Sequence, residues 1–440
     1  MPEPPPNAPD GPLALGVDLG TSGLRLALVN GRGQLVSERQ AAYPGAFETA
    51  ASWRDGLIAL VASLEPGLRR QIGAISLDGT SGTLLRCDPL GSPLGDALPY
   101  HQACPEQLAA CTALVAPGSP AASASGSLAR ALELRQRQHS LGLGLLRHQA
   151  DWLMGWLLGD WRWGEEGNNL KLGWDLIEGR WSGTLSRQTW AHELPEVVAS
   201  GTRLGSLGAG ARAELDLEPG CLVVAGTTDA NAAVLAADPQ PGDGITVLGT
   251  TLVLKQFSPA PIQGPGISCH RLGGHWLVGG ASNAGGGVLR QFFTDRDLEQ
   301  LSRQINPDQP SGLQLRPLPR RGERFPIDDP DLEPLLGPRP VSDALFLQGL
   351  LEGLAAIERD GWQRLQALGA PPIGRVISLG GGARNPQWRR IRERFLGMPV
   401  ANRPNLSAAA GMARLALRAL QQEPGATMAN EPKALAAPTP

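Results

Sequence analysis

The sequence predicts an α/β protein with two domains, on three observations. The chain has 440 residues, about three times the length of a typical domain. Short apolar runs typical of buried strands are separated by segments with helical periodicity. The tetrapeptide at Leu19–Ser22, Leu-Gly-Thr-Ser, stands between two strand-like runs and recurs in the same setting at Leu248–Thr251 as Leu-Gly-Thr-Thr. A strand-turn-strand unit repeated in both halves of the chain predicts two related domains.

The first half of the chain begins with predicted antiparallel strands. The segment from Leu13 to Ala41 has three strand-like runs, separated by tight turns at Gly20–Gly23 and at Asn30. A buried strand at Ile72–Leu77 then ends at the turn Asp78–Gly82. The other elements predicted in this half are helices at Ser52–Leu64, Ser127–His139, Gln149–Leu158 and Ala230–Ala237, and a strand at Cys221–Ala225.

The second half adds strands, one long helix and a glycine-rich loop. The predicted elements are strands at Ile245–Leu248, Leu252–Phe257 and Arg375–Leu379, and an amphipathic helix from Leu347 to Leu368. The last strand opens into Gly380–Gly382, where three glycines allow a ligand to approach the backbone closely. Asn385 is the predicted N-cap of the next helix, with Pro386 at its first position.

Both ends of the chain have the composition of disordered segments. Met1–Pro12 holds six prolines and two acidic residues but no basic residue and no apolar core, so it resembles neither a secretory signal nor a transit peptide. We predict a disordered lead-in at 1–12 and a disordered tail at 423–440.

Composition restricts the class of protein. The apolar fraction is 42% and the net charge is -3 at pH 7, without the basic patch that nucleic-acid binding requires. The longest apolar run, from Leu57 to about Ala62, is too short to cross a bilayer. The five cysteines are scattered, which excludes a disulfide framework and indicates a reducing compartment. We therefore expect a soluble cytoplasmic protein that binds neither nucleic acid nor membrane. Among 39 basic residues, lysine occurs only at 171, 255 and 433, a bias that we attribute to genome composition.

The first Gly-Thr turn has the residues of a phosphate and metal site. Asp18 lies at the end of its strand, and Gly20–Ser22 form the turn. Backbone N–H groups and hydroxyls in such a turn can point at phosphate oxygens while the carboxylate holds Mg²⁺, directly or through water. An ordinary hairpin is the alternative. In the second copy Val247 replaces Asp18, so only the first copy predicts a metal ligand and the second predicts a phosphate cradle.

Asp229 and Asp78 are candidate catalytic or substrate-binding carboxylates. Asp229 stands where a predicted strand ends and a helix begins, so the helix dipole favours its ionised form and its use as a proton acceptor. The alternative is a helix N-cap. Asp78 and Ser81 lie in the turn after another buried strand and would either contact a ligand or only close the turn.

Three further patterns bear on the kind of site. Cys269-His270 with His275 does not match a zinc spacing, so a structural or pocket-lining role is expected. Gly285–Gly287 predicts a helix start packed against something flat, for which a nucleotide base is a candidate. The chain has no Gly-x-x-x-x-Gly-Lys-Ser/Thr motif, which excludes a P-loop ATPase.

These motifs, in this order, resemble the FGGY family of carbohydrate kinases from about Leu13 to Leu420. The resemblance implies two ribonuclease H-like (actin-like ATPase) domains with a cleft between them, and ATP and Mg²⁺ as cofactors. It implies Asp18 as the Mg²⁺ ligand and Asp229 as the catalytic base. The residues that it assigns to ATP are Gly20, Thr21, Ser22, Gly249, Thr250, Gly381, Gly382, Asn385 and Trp388.

Within the family, the chain most resembles the cyanobacterial and plant members called xylulose kinase-like, which act on D-ribulose. The segments that carry this similarity are Asp78–Thr83, Tyr100–Cys104, Asn169–Gly173 and Leu272–Trp276. Many family members have Trp-x-Asp-x-Arg where this chain has Tyr100-His-Gln-Ala103, without a carboxylate. That departure leaves Asp78, Ser81 and Asp229 as the expected sugar contacts.

The resulting hypothesis is an ATP-dependent kinase that phosphorylates the terminal hydroxyl of a ketopentose, D-ribulose. The alternatives are a D-xylulose kinase and a non-catalytic actin-like or chaperone-like nucleotide switch. The predicted domains are 13–236, with 407–420 packing back on it, and 237–406. The sequence does not indicate an oligomeric state.

Overall fold

The computed structural model describes residues 11–138 and 142–422. Most of the predicted lead-in, the predicted tail from residue 423 and the predicted helix end at His139 lie outside the described residues. Within the described ranges, no helix combines the length and the apolar character needed to span a membrane.

The structure is a mixed α/β protein, as predicted. Its strands, in chain order, are β1 (Leu13–Leu19), β2 (Gly23–Val29), β3 (Leu35–Ala42), β4 (Ile72–Gly79), β5 (Leu84–Cys87), β6 (Leu145–His148), β7 (Trp163–Glu165), β8 (Trp174–Asp175), β9 (Arg180–Trp181), β10 (Glu196–Val198), β11 (Arg203–Ser206), β12 (Leu222–Thr228), β13 (Asp243–Leu248), β14 (Leu252–Ser258), β15 (Ile267–Leu272), β16 (His275–Ser282), β17 (Arg375–Leu379) and β18 (Val400–Asn402).

The helices connect and cover these strands. They are α1 (Ala50–Ala62), α2 (Pro66–Arg69), α3 (Leu108–Leu114), α4 (Ser127–Arg137), α5 (Gln149–Leu158), α6 (Glu166–Asn169), α7 (Gly183–Ser186), α8 (Ala209–Leu215), α9 (Asp229–Ala237), α10 (Gly286–Leu289), α11 (Asp295–Ser302), α12 (Asp343–Ala367), α13 (Pro386–Leu396) and α14 (Ala408–Gln421). Short 3-10 turns occur at Pro105–Gln107, Leu170–Leu172, Ala191–Glu193 and Gly381–Arg384.

Two six-stranded sheets share one strand pattern. The first has the order β11-β12-β4-β1-β2-β3, and the second has the order β15-β16-β14-β13-β17-β18. In each sheet an antiparallel hairpin, β1-β2 or β13-β14, is flanked by a strand parallel to its first member, β4 or β17. The two Gly-Thr turns join the strands of these hairpins. The repeat seen in the sequence therefore corresponds to a repeated fold.

Two helices, α9 and α14, lie between the sheets. Apolar residues of α9 pack with those of β13, β16 and β17, while those of α14 pack with β1, β4 and β12. The helix α14 lies directly on β1 at Gly16, where an added Cβ would stand 1.9 Å from the carbonyl oxygen of Ala409. The two helices cross at Gly411, whose added Cβ would be 2.2 Å from the oxygen of Ala232. Both contacts exclude a larger side chain, and they bring the start of α9 to the cleft between the sheets.

Most predicted elements are present with small shifts at their ends. Helix α5 and strand β17 have the predicted bounds. Strand β12 continues to Thr228, which is the N-cap of α9, so Asp229 is the first helical residue and not the N-cap that the alternative required. The sequence analysis did not predict strands β5–β11, β15, β16 and β18.

Candidate active site

Three carboxylates lie at one edge of the first sheet. Strands β1, β4 and β12 are parallel neighbours, and Asp18 is in register with Asp78. Thr228, the last residue of β12, is in register with Gly79, so Asp229 follows at the same edge. Neighbouring strands are about 4.8 Å apart. The strand ends therefore gather Asp18, Asp78 and Asp229, which the sequence analysis singled out separately.

Asp78 is buried, and within residues 11–138 and 142–422 neither of its carboxylate oxygens has a hydrogen-bond donor. Burial, and then the negative charges of Asp18 and Asp229, raise the pKa of Asp78 well above its usual range. Burial also raises the pKa of Asp18, although the neighbouring Asp78 carboxyl and the charge of Arg25 oppose that shift. Such a pair favours one shared proton when no cation is present.

These carboxylates have the chemistry of a Mg²⁺ site. Within the described chain the two buried oxygens of Asp78 have no hydrogen-bond partner, and they lie beside Asp18, so they are available as metal ligands. A divalent cation would supply positive charge beside the Asp78 carboxylate. Among the described residues, no group of three or more His, Cys, Asp or Glu side chains could hold a metal ion. Mg²⁺ would accordingly take its remaining ligands from water and substrate phosphates, as it does in phosphoryl-transfer sites.

Asp229 is half-buried at the start of α9. Its Oδ1 accepts a hydrogen bond from the backbone N–H of Ala230 at 2.7 Å. Burial is the largest cause that raises the pKa of Asp229, and the charge of Asp18 adds to it. The Ala230 N–H and the ammonium groups of Lys171 and Lys255 act in the opposite direction. A carboxylate in this position can accept a proton in a partly water-excluded cleft.

The first Gly-Thr turn presents its hydroxyls to solvent beside Asp18. Thr21 and Ser22 are exposed, and the turn is closed by a hydrogen bond from Gly20 N–H to the Gly23 carbonyl at 3.0 Å. The Tyr43 hydroxyl donates to the Gly20 carbonyl at 2.9 Å. The Thr21 hydroxyl donates to the Tyr100 hydroxyl at 3.4 Å. Tyr43 fixes the backbone of the turn, and the exposed hydroxyls of Thr21 and Ser22 can contact phosphate oxygens.

The second Gly-Thr turn and the glycine-rich loop line one cleft of 860 Å³ in the second domain. Gly249, Thr250, Gly381, Gly382, Asn385 and Trp388 all border it, together with residues of α11 and α12. All six were predicted to bind ATP. The cleft is large enough for a nucleotide, since small-molecule sites commonly measure about 300–1,000 Å³.

The residues of this cleft differ in what they can offer a ligand. A Cβ added at Gly381 would meet nothing within 4 Å, whereas one at Gly382 would be 2.5 Å from the Trp388 ring. Asn385 is the N-cap of α13 and also donates to the Ser302 hydroxyl at 2.8 Å. The buried indole N–H of Trp388 has no hydrogen-bond partner in the part of the chain that the structure describes. Gly381 therefore faces the open cleft, while Gly382 and Asn385 shape its wall.

Gly285–Gly287 was expected to pack against something flat. In the structure that neighbour is the backbone of the second Gly-Thr turn. A Cβ at Gly285 would stand 2.5 Å from the Thr250 carbonyl oxygen. The N–H groups of Gly286 and Gly287 donate to the carbonyls of Gly249 and Thr250, at 2.9 and 3.0 Å. The glycine run holds the second Gly-Thr turn in place, and Gly286 also borders the cleft.

The loop after β4 is fixed by a network of polar side chains. The Gln149 Oε1 accepts hydrogen bonds from the Thr80 N–H at 3.1 Å and from its hydroxyl at 2.8 Å. The Gln149 Nε2 donates to the Tyr43 hydroxyl at 3.3 Å, which in turn binds the first Gly-Thr turn. Ser81 is half-buried and accepts from Lys171 Nζ at 3.2 Å. The predicted sugar loop and the predicted phosphate turn are thus joined through one glutamine.

The second domain brings Lys255 close to Asp229, and His270 close to Lys255 and Lys171. Lys255 is buried, and burial lowers its pKa to about 8 despite the charge of Asp229. Its ammonium donates to Asn231 Oδ1 at 2.8 Å and to the Ala230 carbonyl at 3.3 Å. Burial and the two lysine charges lower the pKa of His270 to about 3, so its ring is neutral.

An ion pair crosses between the domains near this point. The Arg271 guanidinium binds the buried Glu166 carboxylate through Nη2 at 2.6 Å and Nε at 3.1 Å.

The sequence analysis did not identify several residues of the site. It missed the Arg271–Glu166 pair, Gln149, Tyr43 and both lysines. Only Lys171 lay in a segment that carried the family resemblance.

Comparisons with known proteins agree with this architecture. Residues 244–420 match the FGGY family of carbohydrate kinases, C-terminal domain. A xylulose kinase from Rhodospirillum rubrum is 21% identical, with a TM-score of 0.77, 94% of this chain and 91% of that chain covered. An ADP-bound glycerol kinase from Plasmodium falciparum is 14% identical, with a TM-score of 0.77 and coverages of 93% and 90%. A gluconate kinase from Lactobacillus acidophilus is 15% identical, with a TM-score of 0.75 and coverages of 93% and 89%.

The similarity to the solved structures extends over nearly the whole chain, whereas the family match covers its C-terminal part. The predicted fold class, two actin-like ATPase domains with a cleft between them, is confirmed. The family match covers residues 244–420, so that part of the chain is similar to the C-terminal domain of the FGGY carbohydrate kinases.

Proposed function

We propose that this chain is an ATP- and Mg²⁺-dependent sugar kinase that phosphorylates the terminal hydroxyl of a ketopentose, D-ribulose. The observation that carries the proposal is the placement of Asp229, half-buried at the start of α9 beside Asp18 and two lysines. A carboxylate at the cleft, between a hydroxyl-bearing turn and a nucleotide-sized cavity, suits transfer of phosphate to an alcohol.

Each part of the site would have one task. Adenosine would lie against Gly381 and beside Trp388. The phosphates would lie between the two Gly-Thr turns. Asp18 and Asp78 would hold Mg²⁺, which supplies charge neutralisation at the phosphates. Ser81 would orient the sugar, and the buried Asp78, which the sequence analysis expected to contact the sugar, would belong to the metal site instead. We propose the predicted division at residue 236 for the two domains, whose closure would exclude water from the transferred group.

The chemical step follows from these positions. The terminal hydroxyl oxygen of the sugar attacks the γ-phosphorus of ATP, and the bond to the β,γ-bridging oxygen breaks to release ADP. The hydroxyl proton passes to Asp229, so charge does not accumulate on the sugar oxygen. Protein assistance is mostly alignment and electrostatic stabilisation, which is typical of phosphoryl transfer.

D-Xylulose is the second candidate substrate, because several similar solved structures are xylulose kinases. D-Ribulose is preferred on the resemblance carried by Asp78–Thr83 and Asn169–Gly173, and on the missing carboxylate at Tyr100–Ala103. Tyr100 itself contacts the Thr21 hydroxyl and so belongs to the phosphate turn.

A coupled assay for ADP, run across D-ribulose, D-xylulose, gluconate, glycerol and ribitol, tests the proposal. D-Ribulose should give the highest kcat/KM and should stimulate ADP formation far above the rate with ATP alone. A highest value for D-xylulose would replace the substrate and keep the reaction. ADP formation that no sugar stimulates would refute the kinase proposal and favour the nucleotide switch.

A further inference from the structure

The distribution of lysine in this chain is informative. Lysine occurs at three positions among 39 basic residues. Two of the three, Lys171 and Lys255, lie close enough to Asp229 to affect its pKa. Genome composition accounts for the excess of arginine but not for two lysines at one carboxylate. Arginine and lysine are not interchangeable where a compact point charge with rotatable donors is required.

The backbone around Lys171 is fixed from the protein side. Lys171 lies in the 3-10 turn Leu170–Leu172, which ends at Gly173 with a φ of 112°. The preceding Asn169 is fully buried and donates to Asp151 Oδ2 at 3.1 Å and to the Glu165 carbonyl at 2.8 Å. Since a buried amide anchors one end and a left-handed glycine ends the turn, the Lys171 side chain projects from a rigid base. This explains the Asn-Leu-Lys-Leu-Gly pattern of residues 169–173.

The two ammonium groups differ in how far the protein satisfies them. Lys255 is buried and binds Asn231 and the Ala230 carbonyl. Lys171 is half-buried, and in the described part of the chain its one hydrogen bond is to Ser81 Oγ at 3.2 Å. An ammonium has three N–H donors. Lys171 therefore retains N–H donors near Ser81 and Asp229, where the sugar is proposed to bind.

We propose that Lys171 binds the substrate together with Ser81, donating to the carbonyl oxygen of the open-chain ketose while Asp229 meets the hydroxyl to be phosphorylated. This inference rests on the proposed function and names the group that selects a ketose. A carbonyl oxygen only accepts hydrogen bonds and an ammonium only donates them, so the two are complementary. The corresponding alditol, ribitol, has a hydroxyl at that carbon, which can also donate and so is less specific for an ammonium.

The first test is protection of the wild-type lysines from modification. Reductive methylation with formaldehyde and a borane is followed at Lys171 and Lys255 by mass spectrometry, with and without D-ribulose. At about ten times its Kd the sugar leaves about a tenth of the sites free, so methylation of Lys171 should slow about tenfold. Lys255, bound to the protein, is the comparison within the same sample and should change little. Equal rates at Lys171 with and without sugar would overturn the proposal.

The second test measures affinity. Lys171→Met keeps the length and apolar stem but removes the charged donor, a loss that should weaken D-ribulose binding about ten- to a hundredfold. Ribitol binding, measured by calorimetry on the same preparations, should weaken less. ATP affinity and thermal stability serve as controls for an intact nucleotide cleft and fold. An unchanged D-ribulose affinity, or an equal loss for ribitol, would overturn the assignment.

The two proposals fail in different ways. A wild-type protein that phosphorylates D-ribulose while leaving Lys171 unprotected would refute this inference and keep the kinase. A wild-type protein that phosphorylates no sugar would refute the proposed function and, with it, the role of Lys171.

Discussion

Replacing Asp229 by asparagine should separate a catalytic role from a structural one. Asparagine has the same shape, and its Oδ1 can still accept the hydrogen bond that Ala230 N–H donates at 2.7 Å. It cannot take up the proton of a sugar hydroxyl. Because Thr228 is the N-cap of α9, the substitution does not remove the cap, and the stability cost should be below about 1 kcal/mol.

The catalytic cost should be much larger. A general base typically contributes about 10²–10⁴ in rate, which corresponds to roughly 3–5 kcal/mol of activation free energy. We expect kcat to fall by that factor while ATP still binds. Burial raises the pKa of Asp229, and the base must be unprotonated to act. The wild-type rate should therefore decline on the acid side at a pH above the usual range of an aspartate, and the variant should lose that part of the profile.

The assay is sugar-dependent ADP formation, with thermal unfolding measured on the same preparation. Asp238→Asn is a matched control, since Asp238 ends the same helix, is half exposed and pairs with Arg418 at 3.3 Å. It removes one carboxylate charge from α9 at the other end and should keep normal turnover. A stable Asp229→Asn protein with wild-type kcat would refute the assignment of the base.

Three further predictions concern metal, nucleotide and fold. Asp18→Ala should remove most turnover at limiting Mg²⁺, while Val247→Ala, at the equivalent position of the second hairpin, should not alter metal dependence. Gly381→Val should weaken ATP binding strongly and leave sugar affinity nearly unchanged, because its side chain enters open cleft space. Arg392→Met should lower the free energy of unfolding by about 3–5 kcal/mol, since it leaves the buried Glu358 without the guanidinium that binds it at 2.5 and 2.7 Å.

Each of these has an outcome that counts against it. Near-normal activity of Asp18→Ala across a Mg²⁺ titration would show that Asp18 does not bind the metal. Calorimetry that shows intact ATP binding to Gly381→Val would show that adenosine does not lie against Gly381. Arg180→Met, which breaks an exposed pair with Glu178, is the control for the buried pair and should change stability little. A similar small change for Arg392→Met would contradict the argument from burial.

Local sequence signals were sufficient where a helix or strand has a clear start and stop. Helix α5 ends at Gly159 in the left-handed conformation, with a φ of 72°, and α13 starts at Pro386 behind its Asn385 cap. Strand β16 was missed because its glycines have low strand propensity. Its Gly280 is required by tertiary packing, since an added Cβ would stand 2.4 Å from the Phe325 ring. That neighbour is distant in sequence.

The candidate site was predicted in part for the same reason. Asp18, Asp78 and Asp229 each follow a recognisable strand, and parallel neighbours bring strand ends together. Lys255 reaches the site from the other domain, through contacts with Ala230 and Asn231. Lys171 comes from an irregular turn. The periodicity of the sequence does not indicate which distant residues come together. The positions of Lys171 and Lys255 near Asp229 are therefore seen only in the folded chain.

The most direct test of the central claim is to follow both products of the reaction with D-ribulose. We predict that ADP and a ribulose monophosphate, phosphorylated on the terminal hydroxyl, form in equal amounts, and that inorganic phosphate does not accumulate. Mass spectrometry and phosphorus NMR of one reaction mixture measure all three species. ADP matched by inorganic phosphate, at a rate that D-ribulose does not change, would contradict the account.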